Sequence, residues 1–334
     1  MRAVVCKEFG PPGKLVVENI SSPVPGPQQI VIAVKAASVN FPDTLMIEGK
    51  YQIKPEPPFT PGFEAAGIVK QVGTAVTAFE PGQRVMAVTT WGAFAEEVAV
   101  DADSVIPMAE AMDFVSASAF VTTYGTSYHA LKDRAQLQPG ETLLVLGASG
   151  GVGTAAIQIG KAMGAHVIAA ASSATKLAVC RREGADDLID YAAEDLRARV
   201  KAITSGKGVD VVYDPVGGAY SELALRDMAW NGRFLVVGFA AGAIPKIPLN
   251  LPLLKGCSVV GVFWLQFTKK EQEKSRRNYA ELGQMFLAGK VKPLLHATYP
   301  LEKAVEALNE VLAQRVSGKL VLIPSLSDHE RPEA

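Results

Sequence analysis

A glycine-rich turn is the clearest chemical feature of the sequence, in the stretch GASGGVG at residues 147–153. Gly150 and Gly153 occupy the second and third glycine positions of the dinucleotide-binding pattern, and Ala148 stands where the first glycine usually lies. A glycine cluster can also be a plain turn, but here an apolar strand precedes it and an amphipathic helix follows it. This context favours a pyrophosphate bound at the amino end of the helix. The expected contacts are Ser149, Gly150, Gly151, Val152 and Gly153.

About twenty residues further along, the chain lacks the acidic residue that usually holds the ribose of NAD. Ser172, Ser173 and Lys176 of the stretch SSATK stand there instead. A carboxylate would repel a 2′-phosphate, whereas hydroxyl groups and a cation bind one. Tyr191 ends the neighbouring strand, with its hydroxyl within reach of the same phosphate. The alternative is a solvated Lys176 and a Tyr191 that only packs, but together with the missing acid these residues favour NADPH as cofactor.

Small and aromatic residues follow three further predicted strands, on the side where the nicotinamide should lie. Each of them is explained equally well, when taken alone, by ordinary core packing at a strand end. The candidates for nicotinamide contacts are Gly238, Phe239, Phe263 and Trp264, and Val216 of the same region is a further expected cofactor contact.

Six near-continuous apolar strands alternate with helical segments in the middle of the chain, which is typical of a parallel sheet covered on both faces. They are predicted at 142–147, 166–172, 187–191, 209–215, 233–239 and 258–264. Such a doubly wound sheet binds its ligand beyond the carboxyl ends of the strands.

The first 122 residues have a different texture, rich in Gly and Pro, with short strands that indicate an all-β or barrel-like domain. Those strands are predicted at 29–39, 64–73, 83–89 and 93–100. Near the other end, residues 301–314 show helical periodicity and 319–324 read as a strand. The tail 325–334 is expected to be mobile.

Composition excludes several classes of partner. The 334 residues carry a formal net charge of −1 and no long basic run, so neither a nucleic acid nor a membrane is expected to bind. Three dispersed cysteines do not form a disulfide framework. No apolar targeting segment opens the sequence, and we therefore expect a cytoplasmic protein.

Seven stretches together resemble the medium-chain dehydrogenase/reductase superfamily, and within it the zinc-free NADPH:quinone oxidoreductase group that includes zeta-crystallin. They are VNFPDTL (39–45), PGFEAAGIV (61–69), TSYHAL (126–131), ASGGVG (148–153), SSATK (172–176), YDPVGG (213–218) and GKLVLI (318–323). The resemblance implies an α/β fold with a GroES-like, β-rich catalytic domain at 1–122 and a Rossmann NADPH-binding domain at 123–289. Residues 290–334 return to the catalytic domain. It also implies a homodimer formed through the Rossmann domains.

The resemblance also shows where this chain departs from the zinc alcohol dehydrogenases of the superfamily. Asn40 stands in place of a zinc-binding cysteine, and Phe63 in place of a histidine. The four histidines are dispersed along the chain, so no metal site is expected. They are His129, His166, His296 and His329.

A metal-free hydride site suits an acceptor that is already electrophilic, such as a quinone or an activated alkene. By the resemblance, Asn40 faces the nicotinamide and the acceptor, and Thr126 and Lys319 are cofactor contacts. Tyr51 is expected to donate a hydrogen bond at the mouth of the cleft. The alternatives are that Asn40 only forms a turn and that Tyr51 only packs. Leu45 and Ile47 replace a Tyr and an Arg of the best-known quinone reductases, giving a more apolar pocket.

Three functions follow. The leading one is a zinc-independent, NADPH-dependent oxidoreductase that transfers a hydride to a quinone. The nearest alternative is an NADPH-dependent reductase of α,β-unsaturated carbonyls, namely an enal, enone or enoyl thioester. An alternative of another class is a protein that binds NADPH with little catalysis.

Overall fold

The computed structural model describes residues 1–324. His329 and the tail 325–334, for which mobility was expected, lie outside the described residues. The described chain forms two compact units. Unit 1 comprises Met1–Thr122 and residues 294–324, and unit 2 comprises Thr123–Pro293.

The strands are β1 (Arg2–Val5), β2 (Val16–Asn19), β3 (Gln29–Val39), β4 (Glu64–Val72), β5 (Arg84–Val88), β6 (Glu97–Asp101), β7 (Val105–Pro107), β8 (Thr142–Leu146), β9 (His166–Ala171), β10 (Asp187–Asp190), β11 (Val209–Asp214), β12 (Met228–Val236), β13 (Ser258–Gly261), β14 (Leu295–Pro300) and β15 (Lys319–Ile323). The α-helices are α1 (Phe41–Ile47), α2 (Phe114–Tyr128), α3 (Gly151–Ala162), α4 (Ala174–Arg182), α5 (Leu196–Ile203), α6 (Ala219–Leu225), α7 (Asn250–Lys255), α8 (Trp264–Lys270), α9 (Gln272–Leu287) and α10 (Ala304–Leu312). Short 3₁₀ turns lie at Pro12–Lys14, Ala102–Ser104 and Leu301–Lys303, and a π-helical turn at His129–Arg134 continues α2.

The main sheet of unit 1 is mostly antiparallel, with strand order β14-β15-β3-β4-β5-β7 and β6 paired to β3. The long strand β3 is buried along most of its length because it has neighbours on both sides. The late strand β15 pairs antiparallel with β3, bringing Leu320 opposite Val39. The end of the described chain therefore completes the sheet that begins with the early strands.

Two sequence-based bounds in unit 1 differ from the structure by more than one residue. The strand expected at 93–100 begins only at Glu97, because the amides of Ala93 and Phe94 donate to the carbonyls of Gly62 and Pro61 instead of to a ladder. The helix expected at 301–314 starts as the 3₁₀ turn Leu301–Lys303 and continues as α10.

The sheet of unit 2 is wholly parallel, with strand order β10-β9-β8-β11-β12-β13. Its central strands β8 and β11 are mainly apolar and buried, and Leu144, Ile168 and Val212 are fully buried in the core. Burying each such side chain stabilises the fold by roughly 1.5–3 kcal/mol. The last strand was expected to reach residue 264, but it ends at Gly261 and Trp264 opens helix α8.

Among the described residues, no helix has both the length and the apolar character needed to cross a bilayer.

Candidate cofactor and active-site residues

The glycine-rich turn joins β8 to α3 in unit 2, at the carboxyl end of a central strand. Gly147 has a φ of +57°, a left-handed conformation that favours glycine. A Cβ on Gly153 would lie 2.6 Å from the carbonyl oxygen of Gly147, so only glycine allows α3 to pack this closely. A Cβ on Gly150 would meet nothing nearer than 3.5 Å. The protein therefore leaves space at Gly150, and the first amides of α3 are available to an anion.

Three polar side chains lie together after β9, in the arrangement that the sequence predicted for a phosphate. Ser173 caps α4, with its Oγ accepting from the backbone N–H of Lys176 at 3.3 Å. The ammonium of Lys176 turns back and donates to Ser172 Oγ at 3.2 Å. The Ser172 hydroxyl also interacts with the hydroxyl of Tyr191, which follows β10. A cation and two hydroxyl groups thus converge at the ends of the neighbouring strands β9 and β10.

Tyr220 is a residue of this region that the sequence analysis missed. Its ring packs against that of Tyr191, with centroids 4.3 Å apart and planes tilted by 40°. Burial, together with the neighbouring Tyr220, raises the pKa of Tyr191, so that the phenol keeps its proton and remains a donor. No sequence pattern could have linked the two rings, because they are brought together only by the parallel packing of the unit.

The candidates for nicotinamide contacts differ sharply in exposure. Phe263 is 52% exposed and Phe239 36%, whereas Trp264 is only 5% exposed. Trp264 packs against Gly125, and a Cβ on Gly125 would lie 2.9 Å from the indole ring of Trp264. This close contact within the unit agrees with the core-packing alternative for Trp264. Thr126, the predicted contact on α2, is buried.

The loop after β11 is shaped by a buried carboxylate that the sequence analysis did not single out. Asp214 accepts from the backbone amides of Val216 and Gly217, both at 2.9 Å, and from Ser221 Oγ at 2.5 Å. These bonds hold Val216 beside the glycine-rich turn, where a Cβ on Gly147 would lie 2.7 Å from the Val216 side chain. Gly238, another predicted contact, donates its amide to the carbonyl of Asp214 at 3.2 Å.

In unit 1 a buried polar cluster surrounds Asn40, the residue immediately before α1. The backbone N–H of Asn40 donates to Asp43 Oδ2 at 2.7 Å, which fixes the first turn of the helix. The side-chain amide nitrogen of Asn40 donates to Glu64 Oε1 at 2.8 Å. Glu64 is fully buried and also accepts from the Ser38 hydroxyl and, at 2.7 Å, from the backbone N–H of Thr122.

Lys319 enters the same cluster from β15, although the sequence predicted it only as a cofactor contact. Its ammonium donates to Asn40 Oδ1 at 2.6 Å, to the Val39 carbonyl at 3.0 Å and to Glu64 Oε1 at 3.2 Å. A lysine has three N–H donors, and all three are used within unit 1.

Two titratable groups lie beside this cluster. Burial raises the pKa of Asp43 to about 7, although the Asn40 amide and the Lys319 ammonium act in the opposite direction. Burial likewise raises the pKa of Tyr51 to about 12, and the ring of Tyr51 packs edge-on against Phe63 at 6.3 Å. Within residues 1–324 the Tyr51 hydroxyl makes no hydrogen bond, so it is free to donate to a ligand.

No group of three or more His, Cys, Asp or Glu side chains in the described part of the chain is arranged to hold a metal ion. The buried His129 pairs with Asp133 at 2.8 Å and stacks on Phe267. His166 pairs with Asp187 at 2.7 Å, and His296 is exposed.

Comparisons with known proteins agree with this architecture. Residues 26–110 match the family described as alcohol dehydrogenase GroES-like domain, and residues 151–281 match the family described as zinc-binding dehydrogenase. The quinone oxidoreductase-like protein 2 homolog of Nematostella vectensis is 39% identical over 325 residues, which cover 96% of this chain and 88% of the relative. The quinone oxidoreductase of Rattus norvegicus is 34% identical over 327 residues, covering 97% of this chain and 98% of the relative.

A solved structure of Escherichia coli quinone oxidoreductase complexed with NADPH superimposes with a TM-score of 0.91 at 30% identity, covering 97% of this chain and 100% of that chain. The predicted fold class, a GroES-like domain with a parallel-sheet Rossmann domain, is confirmed. The chain therefore belongs to the medium-chain dehydrogenase/reductase superfamily, within its zinc-free, quinone oxidoreductase-like group.

Proposed function

We propose that the protein is an NADPH-dependent oxidoreductase that reduces a quinone without zinc. The observation that supports NADPH as the cofactor is the convergence of Lys176, Ser172 and Tyr191. They place a cation and two hydroxyl groups where an NAD-specific site has a carboxylate. The similar Escherichia coli structure that holds NADPH supports the same assignment.

In this proposal, residues of unit 2 bind the 2′-phosphate, the pyrophosphate and the nicotinamide of the cofactor. Lys176, Ser172 and Tyr191 would hold the 2′-phosphate, and the amides at the start of α3 would hold the pyrophosphate next to Gly150. Phe239 and Phe263 offer exposed rings after two neighbouring strands. When bound, NADPH supplies a hydride.

In unit 1, the proposed roles of Asn40 and Tyr51 are to bind and orient cofactor and acceptor. With a hydride and one proton from water, a quinone would become the hydroquinone in this site. Tyr51 keeps its phenolic proton at neutral pH and can donate a hydrogen bond to an acceptor oxygen as negative charge develops there.

The test is initial-rate oxidation of NADPH with 9,10-phenanthrenequinone, with NADH and with a 2-enone run in parallel. Fast turnover that is selective for NADPH and for the quinone supports the proposal. Turnover with the enone alone would replace the quinone by an activated alkene, and tight NADPH binding without turnover on any acceptor would favour a non-catalytic protein.

We also propose that the chain functions in the cytoplasm as a homodimer joined through unit 2. Strand β13 lies at the edge of the parallel sheet, where its backbone groups are unpaired on one side. Trp230, which is 75% exposed, lies nearby with the exposed Val259, Leu253 and Leu254. Light scattering should give twice the chain mass, and Trp230→Glu together with Val259→Glu should give the monomer mass.

A further inference from the structure

The side-chain amide of Asn40 is oriented by two buried charges, and its orientation follows from their chemistry. Lys319 has only donors and Glu64, as a carboxylate, has only acceptors. The amide oxygen therefore faces Lys319 at 2.6 Å, and the amide nitrogen faces Glu64 at 2.8 Å. The opposite orientation would place an NH₂ group against an ammonium and an oxygen against a carboxylate.

The amide nitrogen of Asn40 has no hydrogen left for a ligand. One N–H donates to Glu64 Oε1, and the other to the carbonyl of Ser38 at 3.3 Å. The amide oxygen has two lone pairs, and Lys319 occupies one of them. The one hydrogen-bonding position of the side-chain amide that remains unused is therefore a lone pair of Oδ1, and the residue keeps 8% of its surface exposed.

We infer that Asn40 is a hydrogen-bond acceptor, held in that orientation by Lys319 and Glu64, and that it recognises an N–H or O–H donor of its ligand. The inference deepens the proposed function and rests on it for the assumption that Asn40 meets the cofactor or the acceptor. Lys319 is then a positioning residue, since its three donors are used within unit 1 and none remains for a cofactor phosphate.

This assignment separates two roles. Asn40 does not donate a hydrogen bond to the oxygen of the acceptor on which negative charge develops. Tyr51 is the remaining donor for that oxygen. Two donors of the proposed reaction fit Asn40: the carboxamide N–H of the nicotinamide, and the hydroxyl of the hydroquinone product. Both are neutral groups that a lone pair can recognise.

The experiment is a set of calorimetric titrations, which need no turnover. The dissociation constants of NADPH and of its reduced 3-acetylpyridine analogue, which has a methyl ketone and no carboxamide N–H, are measured on the wild type, Asn40→Leu and Lys319→Met. The same proteins are titrated with a hydroquinone and with its dimethyl ether. Lys70→Met is the control, because Lys70 is an exposed lysine of unit 1 paired with Glu97.

The preference of each protein is the dissociation constant of the analogue divided by that of NADPH. If the donor is the carboxamide, this ratio should be about fivefold to tenfold higher for the wild type and the control than for Asn40→Leu. That factor is the scale of one hydrogen bond to a neutral group. Lys319→Met should lose the same preference, because the amide is then free to turn. Adding Lys319→Met to Asn40→Leu should change nothing further. If the donor is the product hydroxyl, the same pattern appears in the preference for hydroquinone over its ether.

An unchanged preference in both ligand pairs overturns the inference. The inference is also overturned if Lys319→Met lowers the affinities for NADPH and for the analogue by the same factor. That result would make Lys319 a direct phosphate contact. If Lys319→Met does not fold, the comparison of ligand preference between Asn40→Leu and the wild type still tests the inference. Failure of the proposed function is seen separately, as tight NADPH binding with no oxidation by any acceptor.

Discussion

The ammonium of Lys176 lies 3.2 Å from the hydroxyl of Ser172, bent back over the cap of α4 toward the end of β9. The lysine is thereby held at the amino end of a helix, where the dipole already favours negative charge. In the proposed cofactor site, this arrangement would allow a Rossmann-type unit without the usual acidic residue to select a phosphorylated ribose.

Replacing Lys176 with Ala should raise the KM for NADPH by about an order of magnitude, the effect expected for one lost charge-assisted hydrogen bond, and leave the KM for NADH unchanged. Steady-state rates with each cofactor measure this. Lys201→Ala removes an exposed lysine of α5 in the same unit and should change neither value. Equal losses with both cofactors would contradict the phosphate assignment.

The two glycines of the phosphate turn should respond differently to alanine. Gly153→Ala places a methyl group 2.6 Å from a backbone oxygen, so α3 must shift and the free energy of unfolding should fall by about 1–3 kcal/mol. Gly150→Ala meets only ordinary contacts at 3.5 Å and should keep its stability, yet weaken NADPH binding because the methyl occupies the space of the pyrophosphate. Urea unfolding and calorimetry on both variants check this, and a stable Gly150→Ala protein with unchanged affinity would argue against that location.

Asp43 should make the stability of the protein depend on pH. Its pKa rises from an ordinary 3.8 to about 7 in the folded chain. Between about pH 4 and pH 7 the folded state therefore binds a proton that the unfolded chain has lost, and the free energy of unfolding falls as pH rises, by at most about 1.4 kcal/mol per pH unit.

Asp43→Asn has no proton to lose, so its free energy of unfolding should vary less than that of the wild type between pH 5 and pH 7. Urea unfolding at several pH values measures both slopes. Asp101→Asn changes an exposed carboxylate of the same unit and should retain the wild-type slope. Identical slopes for wild type and Asp43→Asn would mean that Asp43 is ionised throughout this range.

Treatment with a chelator should leave the rate of NADPH oxidation unchanged. Asn40 and Phe63 occupy the positions where zinc alcohol dehydrogenases have metal ligands, and Asn40 is already bonded to Lys319 and Glu64. A zinc alcohol dehydrogenase treated in parallel should lose activity. Stoichiometric zinc found by elemental analysis, with activity lost on its removal, would disprove the metal-free mechanism.

Local patterns predicted much of the molecule. The six parallel strands are visible as apolar runs. The glycine turn and the serine–lysine stretch each span only a few residues, so the geometry of each follows from one strand and the helix after it. The cluster around Asn40 could not be predicted in this way. Glu64 lies 24 residues away and Lys319 lies 279 residues away, and only the pairing of β15 with β3 brings them together. The burial of Trp264 could not be predicted either, because the sequence shows an aromatic residue near a strand end but not which side of α8 is buried.

The position of Lys319 also sets the order in which the protein can be completed during synthesis. Unit 2 ends at Pro293, so all of its strands are synthesised before β15. Until Lys319 emerges, Glu64 lacks the cation that it faces in the finished fold, and a buried carboxylate without its cation is strongly unfavourable. The cluster around Asn40 is therefore completed only after β15 has been made, later than every strand of unit 2.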